Sequence, residues 1–315
     1  MKAIVQDRYG GPEVLRLEEV DQPPLEPERV LVHVRAASVN PADWHTMRGS
    51  PFFARAMFGG LRRPKERKRG VDFAGVAEQV GSAVTDISVG DEVFGGRDGA
   101  LAEYVAAKSV VAKPAGLTFE QAGAIAIAGC TALQGLRDKA KLQPGQRVLI
   151  NGAAGGVGTF AVQIAKSMGA HVTGVCSAPN VELVRSLGAD EVVDYTTEEF
   201  VRRAGRYDVV FDLIGNHSIT ELRRMMTAKG TAVLIGGGSI GHLIQAFFLN
   251  PFVSQRLLSF VAKIDRDSLS ALAELAEAGK LTPVVDRTYP LDEAAEAIRY
   301  LETGHARGKV VVKVS

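Results

Sequence analysis

A glycine-rich turn between an apolar strand and a helix constrains the fold of this chain more than any other feature. The segment Arg147–Gly158 reads RVLINGAAGGVG, with Ala153, Gly155 and Gly158 at the three positions of an AxGxxG pattern. Gly155 would let the backbone approach a pyrophosphate, and Gly158 would let the helix pack close to the strand. The N–H groups and the dipole of the helix start would then hold the anion. The turn therefore predicts a phosphate cradle within a βαβ unit.

Strands and helices alternate from this turn onward. The pattern predicts them, in chain order, over Arg147–Asn151, Val157–Met168, His171–Cys176, Val181–Leu187, Asp208–Leu213 and Thr231–Ile235. Such alternation is typical of a parallel sheet covered on both faces. The chain before Thr118 instead reads as short strands separated by turn residues, and a capping box of Thr118 and Gln121 is predicted where the pattern changes. The sequence therefore predicts α/β architecture, with a β-rich unit and a doubly wound parallel sheet.

Composition excludes several classes of protein. The net charge is +1, so no overall field favours a nucleic acid or a membrane surface. The basic run Arg62–Arg69 lacks interleaved aromatic residues, and we interpret it as a solvated loop. No stretch reaches the roughly 18 to 20 apolar residues of a membrane span, and the first residues are not typical of a signal peptide. Two cysteines, Cys130 and Cys176, are too few for a disulfide framework, so a reducing, cytoplasmic location is expected.

The residue after the second strand of the βαβ unit indicates which dinucleotide would bind. A site that prefers NAD usually carries Asp or Glu there, to accept from the ribose 2′-hydroxyl. This chain has Ser177, and the nearest acid, Glu182, falls on the next helix. Ser177 and Asn180 are neutral donors suited to a 2′-phosphate, which a carboxylate would repel. The sequence favours NADPH; the alternative is that Ser177–Pro179 is only a turn.

The whole pattern resembles the medium-chain dehydrogenase/reductase superfamily, in its zinc-free quinone oxidoreductase-like branch. The matching segments are Ser38–Asp43, Gly70–Gly75, Gly90–Val93, Thr131–Ala132, Asn151–Gly158, Leu187–Asp190, Asp194–Tyr195 and Arg307–Val310. The resemblance implies a GroES-like β-rich catalytic domain from residues 1–117 and 265–315, with a Rossmann NADPH-binding domain at 118–264 inserted. It also implies an active site in the cleft between these domains.

The resemblance implies cofactor-binding roles for a set of residues spread along the chain. Ala154, Gly156 and Val157 match the pyrophosphate turn, together with Gly155 and Gly158. Ser177 and Tyr195 match contacts to the 2′-phosphate, near Asn180. The remaining matches lie beside the nicotinamide or in segments that close over the cofactor, and are Asn40, Thr131, Ile235, Gly236, Gly237, Phe260, His305, Ala306 and Arg307.

No zinc is expected. At the positions where zinc-dependent relatives carry their catalytic ligands, this chain reads Asn40, Val71–Asp72 and Ile127. These residues do not supply the thiolates and imidazole that the metal requires. Without a Lewis acid, reduction of an acceptor already polarised by conjugation stays feasible, because the protein then needs mainly to position it over the nicotinamide.

The catalytic candidates are Asn40, Asp43, Trp44 and His45. His45 is the candidate proton donor, with a packing role as the alternative, and Asp43 is the candidate for orienting the loop. Two aromatic-rich groups would wall an apolar substrate slot, or else serve core packing or a subunit interface; they are Trp44, Phe52, Phe53, Met57 and Phe58, and Phe247, Phe248 and Phe252.

The sequence thus predicts a homodimeric NADPH-dependent oxidoreductase that reduces a small quinone, enone or related conjugated carbonyl without metal. Two alternatives stay open at this point. One is a zinc-independent alcohol or carbonyl dehydrogenase, and the other is a non-catalytic NADPH-binding protein.

Overall fold

The structure, a computed structural model, describes residues 1–50, 55, 60–202, 207–235 and 254–314. The chain folds into two compact units. One contains Met1–Cys130 and Ile264–Ser315, and the other contains Thr131–Lys263. The first unit is therefore built from both ends of the chain, and the second is inserted between them.

The strands of the described residues are, in chain order, β1 Lys2–Val5, β2 Arg16–Glu19, β3 Val30–Val39, β4 Asp72–Val80, β5 Glu92–Gly96, β6 Tyr104–Ala107, β7 Val110–Ala112, β8 Arg147–Asn151, β9 His171–Cys176, β10 Glu191–Asp194, β11 Tyr207–Asp212, β12 Met226–Leu234, β13 Arg256–Ser259, β14 Val285–Pro290 and β15 Lys309–Lys313. The α-helices are α1 Pro41–Arg48, α2 Phe119–Ala122, α3 Ala126–Leu133, α4 Gly156–Ser167, α5 Val181–Ser186, α6 Ile219–Met225, α7 Arg266–Glu277 and α8 Ala294–Glu302. A π-helical stretch, Gln134–Ala140, continues α3. No helix in these described ranges has the length and apolar content that crossing a membrane requires.

The first unit is organised by a sheet with the strand order β14-β15-β3-β4-β5-β7, and β6 also pairs with β3. Strand β15 lies antiparallel to β3, so the end of the chain completes the sheet that the beginning starts. Alternate residues of β3, including Val30, Val32 and Val34, pack into a core that also contains Phe73 and Ile298. The predicted β-rich architecture is therefore present, and strands from both ends of the chain contribute to its sheet.

The second unit contains a sheet with the strand order β10-β9-β8-β11-β12-β13, and every pair in it is parallel. Strand β8 comes first in the chain; the sheet then grows to one side through β9 and β10, and to the other through β11, β12 and β13. The order therefore reverses between β8 and β11. In open α/β sheets, ligands bind in the crevice at the carboxyl ends of the strands where the order reverses.

The segment 118–130 was expected in the second unit, but it belongs to the first. The capping box itself is present, since Thr118 Oγ1 accepts from Gln121 N over 3.2 Å. The helix it starts is short, however, and Ala124 packs against Ala36 and Val311 of the first sheet. The local pattern thus located the helix start, while tertiary packing decided to which unit it belongs.

Several elements were not predicted. Strand β10 has the short sequence EVVD, and helix α1, PADWHTMR, has few apolar residues and no amphipathic period. Helix α1 forms because Asn40 stands at its N-cap and Pro41 at its first position. Gly49 ends it with a φ of +59°, a backbone conformation that glycine adopts without strain.

Candidate active site

The glycine-rich turn joins β8 to α4 in a very tight space. A Cβ atom on Gly158 would lie 2.1 Å from the carbonyl oxygen of Gly152 and 2.8 Å from Ala153 Cα, so only glycine fits there. A Cβ on Gly155 would meet nothing closer than the Gly152 oxygen at 3.4 Å. Gly158 therefore allows the helix and the strand to pack closely. Next to the Cα of Gly155, in contrast, no atom of the described residues fills the space that a side chain would occupy.

The start of α4 has the properties of an anion site. Gly155 is its N-cap, in an extended conformation, and the helix then continues for 12 residues. The N–H groups of Gly156, Val157 and Gly158 belong to the first turn, where the helix offers no carbonyl partner. The positive end of the helix dipole adds to them. The residues present therefore fit a dinucleotide pyrophosphate.

Two buried polar residues lie at the point where the strand order reverses. Asn151 ends β8 and Asp212 ends β11, and the two are directly paired across the strands. Asn151 Nδ2 donates to Asp212 Oδ1, which also accepts from the backbone N–H groups of Ile214 and Gly215. Sequence reasoning missed Asp212, although a polar residue that ends an apolar strand was a usable signal.

Ser177 and Tyr195 follow adjacent strands. Tyr195 N donates to the Cys176 carbonyl over 3.1 Å, so the ends of β9 and β10 lie side by side, and the Tyr195 side chain is 57% exposed. Asn180 Nδ2 donates to Ser177 Oγ over 3.1 Å. Burial raises the pKa of the Cys176 thiol to about 11, which keeps it protonated near neutral pH. The ends of β9 and β10 thus carry hydroxyl and amide groups that could bind a ligand.

The carboxylates near Ser177 are engaged elsewhere. Glu182 pairs with Arg185 on the outer surface of α5 over 2.7 Å. Asp194 Oδ1 accepts from both the backbone N–H and the hydroxyl of Thr196, which lowers the pKa of that carboxyl. The hydrogen-bond partners of Glu182 and Asp194 are therefore Arg185 and Thr196, and not Ser177.

The predicted cofactor residues of the second unit share one edge of its sheet. Nearly all follow the carboxyl end of a parallel strand; they are Ala154–Gly158 after β8, Ser177 and Asn180 after β9, Tyr195 after β10, Ile235 after β12 and Phe260 after β13. Thr131 instead lies buried within α3. Gly236 and Gly237 lie outside the described residues.

In the first unit, Asn40 belongs to a buried polar cluster that we name the Asn40 cluster, consisting of Ser38, Asn40, Asp72 and Lys309. Asp72 Oδ2 accepts from Ser38 Oγ over 2.8 Å and from Asn40 Nδ2 over 3.0 Å. Lys309 Nζ lies 3.2 Å from the same oxygen and also donates to Asn40 Oδ1. Sequence reasoning did not assign a role to Lys309.

Asp43 is also buried, next to this cluster. Its Oδ2 accepts from Asn40 N over 2.7 Å. Burial raises the pKa of Asp43 to about 7, and the nearby Asp72 carboxylate acts in the same direction. The hydrogen bond from Asn40 N and the charges of Lys309 and Arg69 oppose that rise. Asp43 therefore holds the Asn40 backbone at the start of α1.

Trp44 and His45 stack on each other with ring centroids 3.6 Å apart, and His45 Nδ1 lies 3.0 Å from the carbonyl oxygen of Ser50. The residues His305, Ala306 and Arg307 lie in the segment that precedes β15, where Arg307 N donates to Asp286 Oδ2 over 3.0 Å. The predicted substrate-slot residues other than Trp44 lie outside the described residues; they are Phe52, Phe53, Met57, Phe58, Phe247, Phe248 and Phe252.

Across the part of the chain that the structure describes, no three His, Cys, Asp or Glu side chains are grouped as they would be to hold a metal ion. The residues at the predicted zinc-ligand positions are Asn40, Val71, Asp72 and Ile127, and among them Asn40 and Asp72 are hydrogen-bonded to each other and to Lys309. Ile127 contributes its backbone N–H, which donates to Asp72 Oδ1 over 2.9 Å.

Two family models match separate parts of the chain. Residues 26–117 match the family model described as an alcohol dehydrogenase GroES-like domain, and residues 187–312 match the one described as a zinc-binding dehydrogenase. The second match begins after Asn40, Asp72 and Ile127, so it does not include the residues at the zinc-ligand positions.

Individual relatives agree with these models. The chain is 35% identical to the NAD(P)H oxidoreductase RTN4IP1, mitochondrial, of Mus musculus, over 100% of this chain and 89% of the relative. It is 37% identical to the NADPH-dependent alkenal/one oxidoreductase, chloroplastic, of Arabidopsis thaliana, over 99% and 79%. Among solved structures, the quinone oxidoreductase from Coxiella burnetii is 34% identical and superposes with a TM-score of 0.88, over 100% of this chain and 99% of that chain.

Proposed function

The chain belongs to the medium-chain dehydrogenase/reductase superfamily, in its quinone oxidoreductase-like branch, and on that premise we propose that it is an NADPH-dependent reductase of quinones or enones that works without metal. One observation carries the proposal. The predicted cofactor residues of the second unit follow the carboxyl ends of successive parallel strands, on both sides of the point where the strand order reverses.

The preference for NADPH is supported by what surrounds Ser177. The end of β9 carries a hydroxyl, and Asn180 and Tyr195 lie beside it. Glu182 is paired with Arg185, and Asp194 accepts from Thr196. The relative from Arabidopsis thaliana is named as NADPH-dependent. A 2′-phosphate at Ser177 would therefore meet a hydroxyl and an amide, while the Glu182 carboxylate is paired with Arg185.

The metal-free mechanism is supported by the Asn40 cluster. An amide, an apolar side chain and a carboxylate already bonded to a lysine are a poor ligand set for zinc. When bound, the reduced nicotinamide supplies a hydride to the acceptor. The protein holds the pyrophosphate at the start of α4 and, in this proposal, positions the acceptor carbonyl with Asn40. Catalysis would then rest mainly on positioning and on fixed hydrogen-bond donors.

The test is NADPH oxidation, followed by absorbance, with a panel of 1,4-quinones and α,β-unsaturated ketones, before and after incubation with a chelator. We expect turnover with NADPH that exceeds turnover with NADH and does not change on chelation. Loss of activity on chelation, restored by zinc, would contradict the metal-free mechanism. Tight NADPH binding by calorimetry without reduction of any acceptor would instead identify a cofactor-binding protein. The oligomeric state is a separate prediction, a homodimer, which light scattering checks.

A further inference from the structure

The Asn40 cluster contains a buried charge pair that the proposed reaction does not yet use. Lys309 and Asp72 are 3% and 0% exposed, respectively, and their charged groups lie 3.2 Å apart. They begin strands β15 and β4, on the two sides of β3, and Asn40 directly follows β3. Three adjacent strands thus bring together residues that are more than 200 positions apart in the chain.

The pair fixes the orientation of the Asn40 amide. An ammonium group only donates hydrogen bonds, and a carboxylate only accepts them. The amide oxygen of Asn40 faces Lys309, and its nitrogen faces Asp72. A flipped amide would place a donor against the ammonium and an acceptor against the carboxylate. Only one orientation therefore satisfies both neighbours.

Asn40 retains a further donor in this orientation. Its amide nitrogen carries two hydrogens, and among the described residues it donates to Asp72 Oδ2. The positive charge of Lys309 on Oδ1 also polarises the amide, which makes its N–H groups stronger donors.

The stability of the fold does not by itself explain why a buried Lys309–Asp72 ion pair is present. Taking two charges out of water is unfavourable, and a protein with apolar residues of similar volume in their place is often as stable or more so. Ser38 Oγ and the Ile127 N–H also donate to Asp72, so both of its carboxylate oxygens accept hydrogen bonds. These groups hold Asp72 and Lys309 at a fixed place next to Asn40.

We propose that Lys309 is a positioning residue for the reduction: with Asp72 it holds the Asn40 amide so that its second Nδ2–H donates to the carbonyl oxygen of the acceptor. This inference rests on the proposed function. A hydride from bound NADPH would leave a C–H bond of the nicotinamide and form a C–H bond at the β-carbon of an enone; the C=C π pair would shift toward the carbonyl carbon and the C=O π pair onto oxygen, giving an enolate and NADP⁺. Water would then donate a proton to the α-carbon and leave as hydroxide. The Asn40 donor, polarised by Lys309, stabilises the charge that develops on oxygen.

The first test is the double variant Lys309→Met/Asp72→Asn, which removes both charges without leaving one buried alone. We expect kcat to fall by roughly 10- to 100-fold, while the Kd for NADPH, measured by calorimetry, changes by less than about threefold. An unchanged kcat would overturn the proposal, and so would a Kd that rises by the same factor as kcat falls.

The second test asks whether Lys309 acts through Asn40, which a merely structural role would not require. Asn40→Ala removes the amide and leaves the charge pair in place. We expect the triple variant Asn40→Ala/Lys309→Met/Asp72→Asn to have the same kcat as Asn40→Ala, because the two changes remove one interaction. Losses that multiply would show that Lys309 acts independently of Asn40.

A third variant keeps the proposal testable if the neutral double variant does not fold. Lys309→Arg retains a group that only donates, so the amide orientation survives, and kcat should stay within roughly fivefold of the parent. A loss of 100-fold or more in this variant, with intact folding by circular dichroism, would overturn the proposal. Failure of the proposed function is distinguishable, because the parent protein itself would then reduce no acceptor.

Discussion

Asn151 and Asp212 are paired across β8 and β11, with Asn151 Nδ2 donating to Asp212 Oδ1 over 2.8 Å. Both residues are at most 4% exposed, and both end their strands where the strand order of the sheet reverses. The same carboxylate oxygen accepts from Ile214 N and Gly215 N. One side chain therefore fixes the end of β8, from which the glycine-rich turn departs, and the loop that follows β11.

The first prediction concerns this carboxylate. Asp212→Ala leaves one of the two Asn151 Nδ2–H groups and two backbone N–H groups without their acceptor, so we expect the free energy of unfolding to fall by about 2–4 kcal/mol. We also expect weaker NADPH binding, because the glycine-rich turn loses its support. The matched control is Asn216→Ala, which removes one partly buried bond to Asn151 and should cost less than about 1 kcal/mol. Equal effects of the two substitutions in urea unfolding would contradict this assignment.

The second prediction concerns the turn itself. Gly158→Ala places a Cβ 2.1 Å from a backbone oxygen, so helix α4 has to shift away from β8. We expect a loss of about 1–3 kcal/mol in stability and a rise of at least roughly tenfold in the Kd for NADPH, since the first-turn N–H groups move with the helix. Gly116→Ala is the control, because nothing lies within 4 Å of a Cβ there. NADPH binding by Gly158→Ala with parental affinity would argue against this turn as the phosphate site.

The third prediction concerns cofactor preference. Ser177→Asp places a carboxylate at the end of β9, where it would repel a 2′-phosphate and accept from a 2′-hydroxyl. We expect the ratio of kcat/KM for NADPH to that for NADH to fall by roughly tenfold or more. Ser177→Asn introduces a side chain of the same size as Asp but neutral, so it should largely retain the parental ratio. A ratio that Ser177→Asp leaves unchanged would mean that Ser177 does not face the 2′-phosphate.

The fourth prediction concerns pH. The pKa of Asp43 is raised from 3.8 to about 7, chiefly by burial, so the folded protein holds this proton over a range in which the unfolded chain releases it. Its contribution to stability is therefore full below about pH 4 and is lost as the pH rises to about 7. Relative to the parent, Asp43→Asn should gain stability over that range, by up to about 4 kcal/mol.

The measurement for this prediction is chemical denaturation of both proteins at pH 4 and at pH 8. The asparagine side chain that Asp43→Asn introduces still offers an oxygen to Asn40 N, so the bond at the start of α1 is retained. The charged groups that face Asp43 are Asp72, Lys309 and Arg69, and they are identical in both proteins. A stability difference that is the same at both pH values would show that the pKa of Asp43 is not raised by folding.

Local features of the sequence predicted the second unit well. The bounds of β8 and β9 agree with the structure residue by residue, because each is a mainly apolar run with glycine or proline close to its ends. Gly158 was identified as a packing glycine from the pattern of its neighbours alone. Short or weakly patterned elements, such as β10 and α1, were missed, since their own residues carry little apolar periodicity.

The sequence by itself determined the glycine-rich turn, the alternation of strands and helices, and the neutral residue Ser177 after β9 in place of Asp or Glu. Each of these features depends on residues that are neighbours in the chain. Only the tertiary structure decided that segment 118–130 packs with the first unit, and that Lys309 meets Asn40 and Asp72. Those contacts depend on the register of β15 against β3 and of β3 against β4. Register is set by the burial of whole strand faces, which no single stretch of sequence encodes.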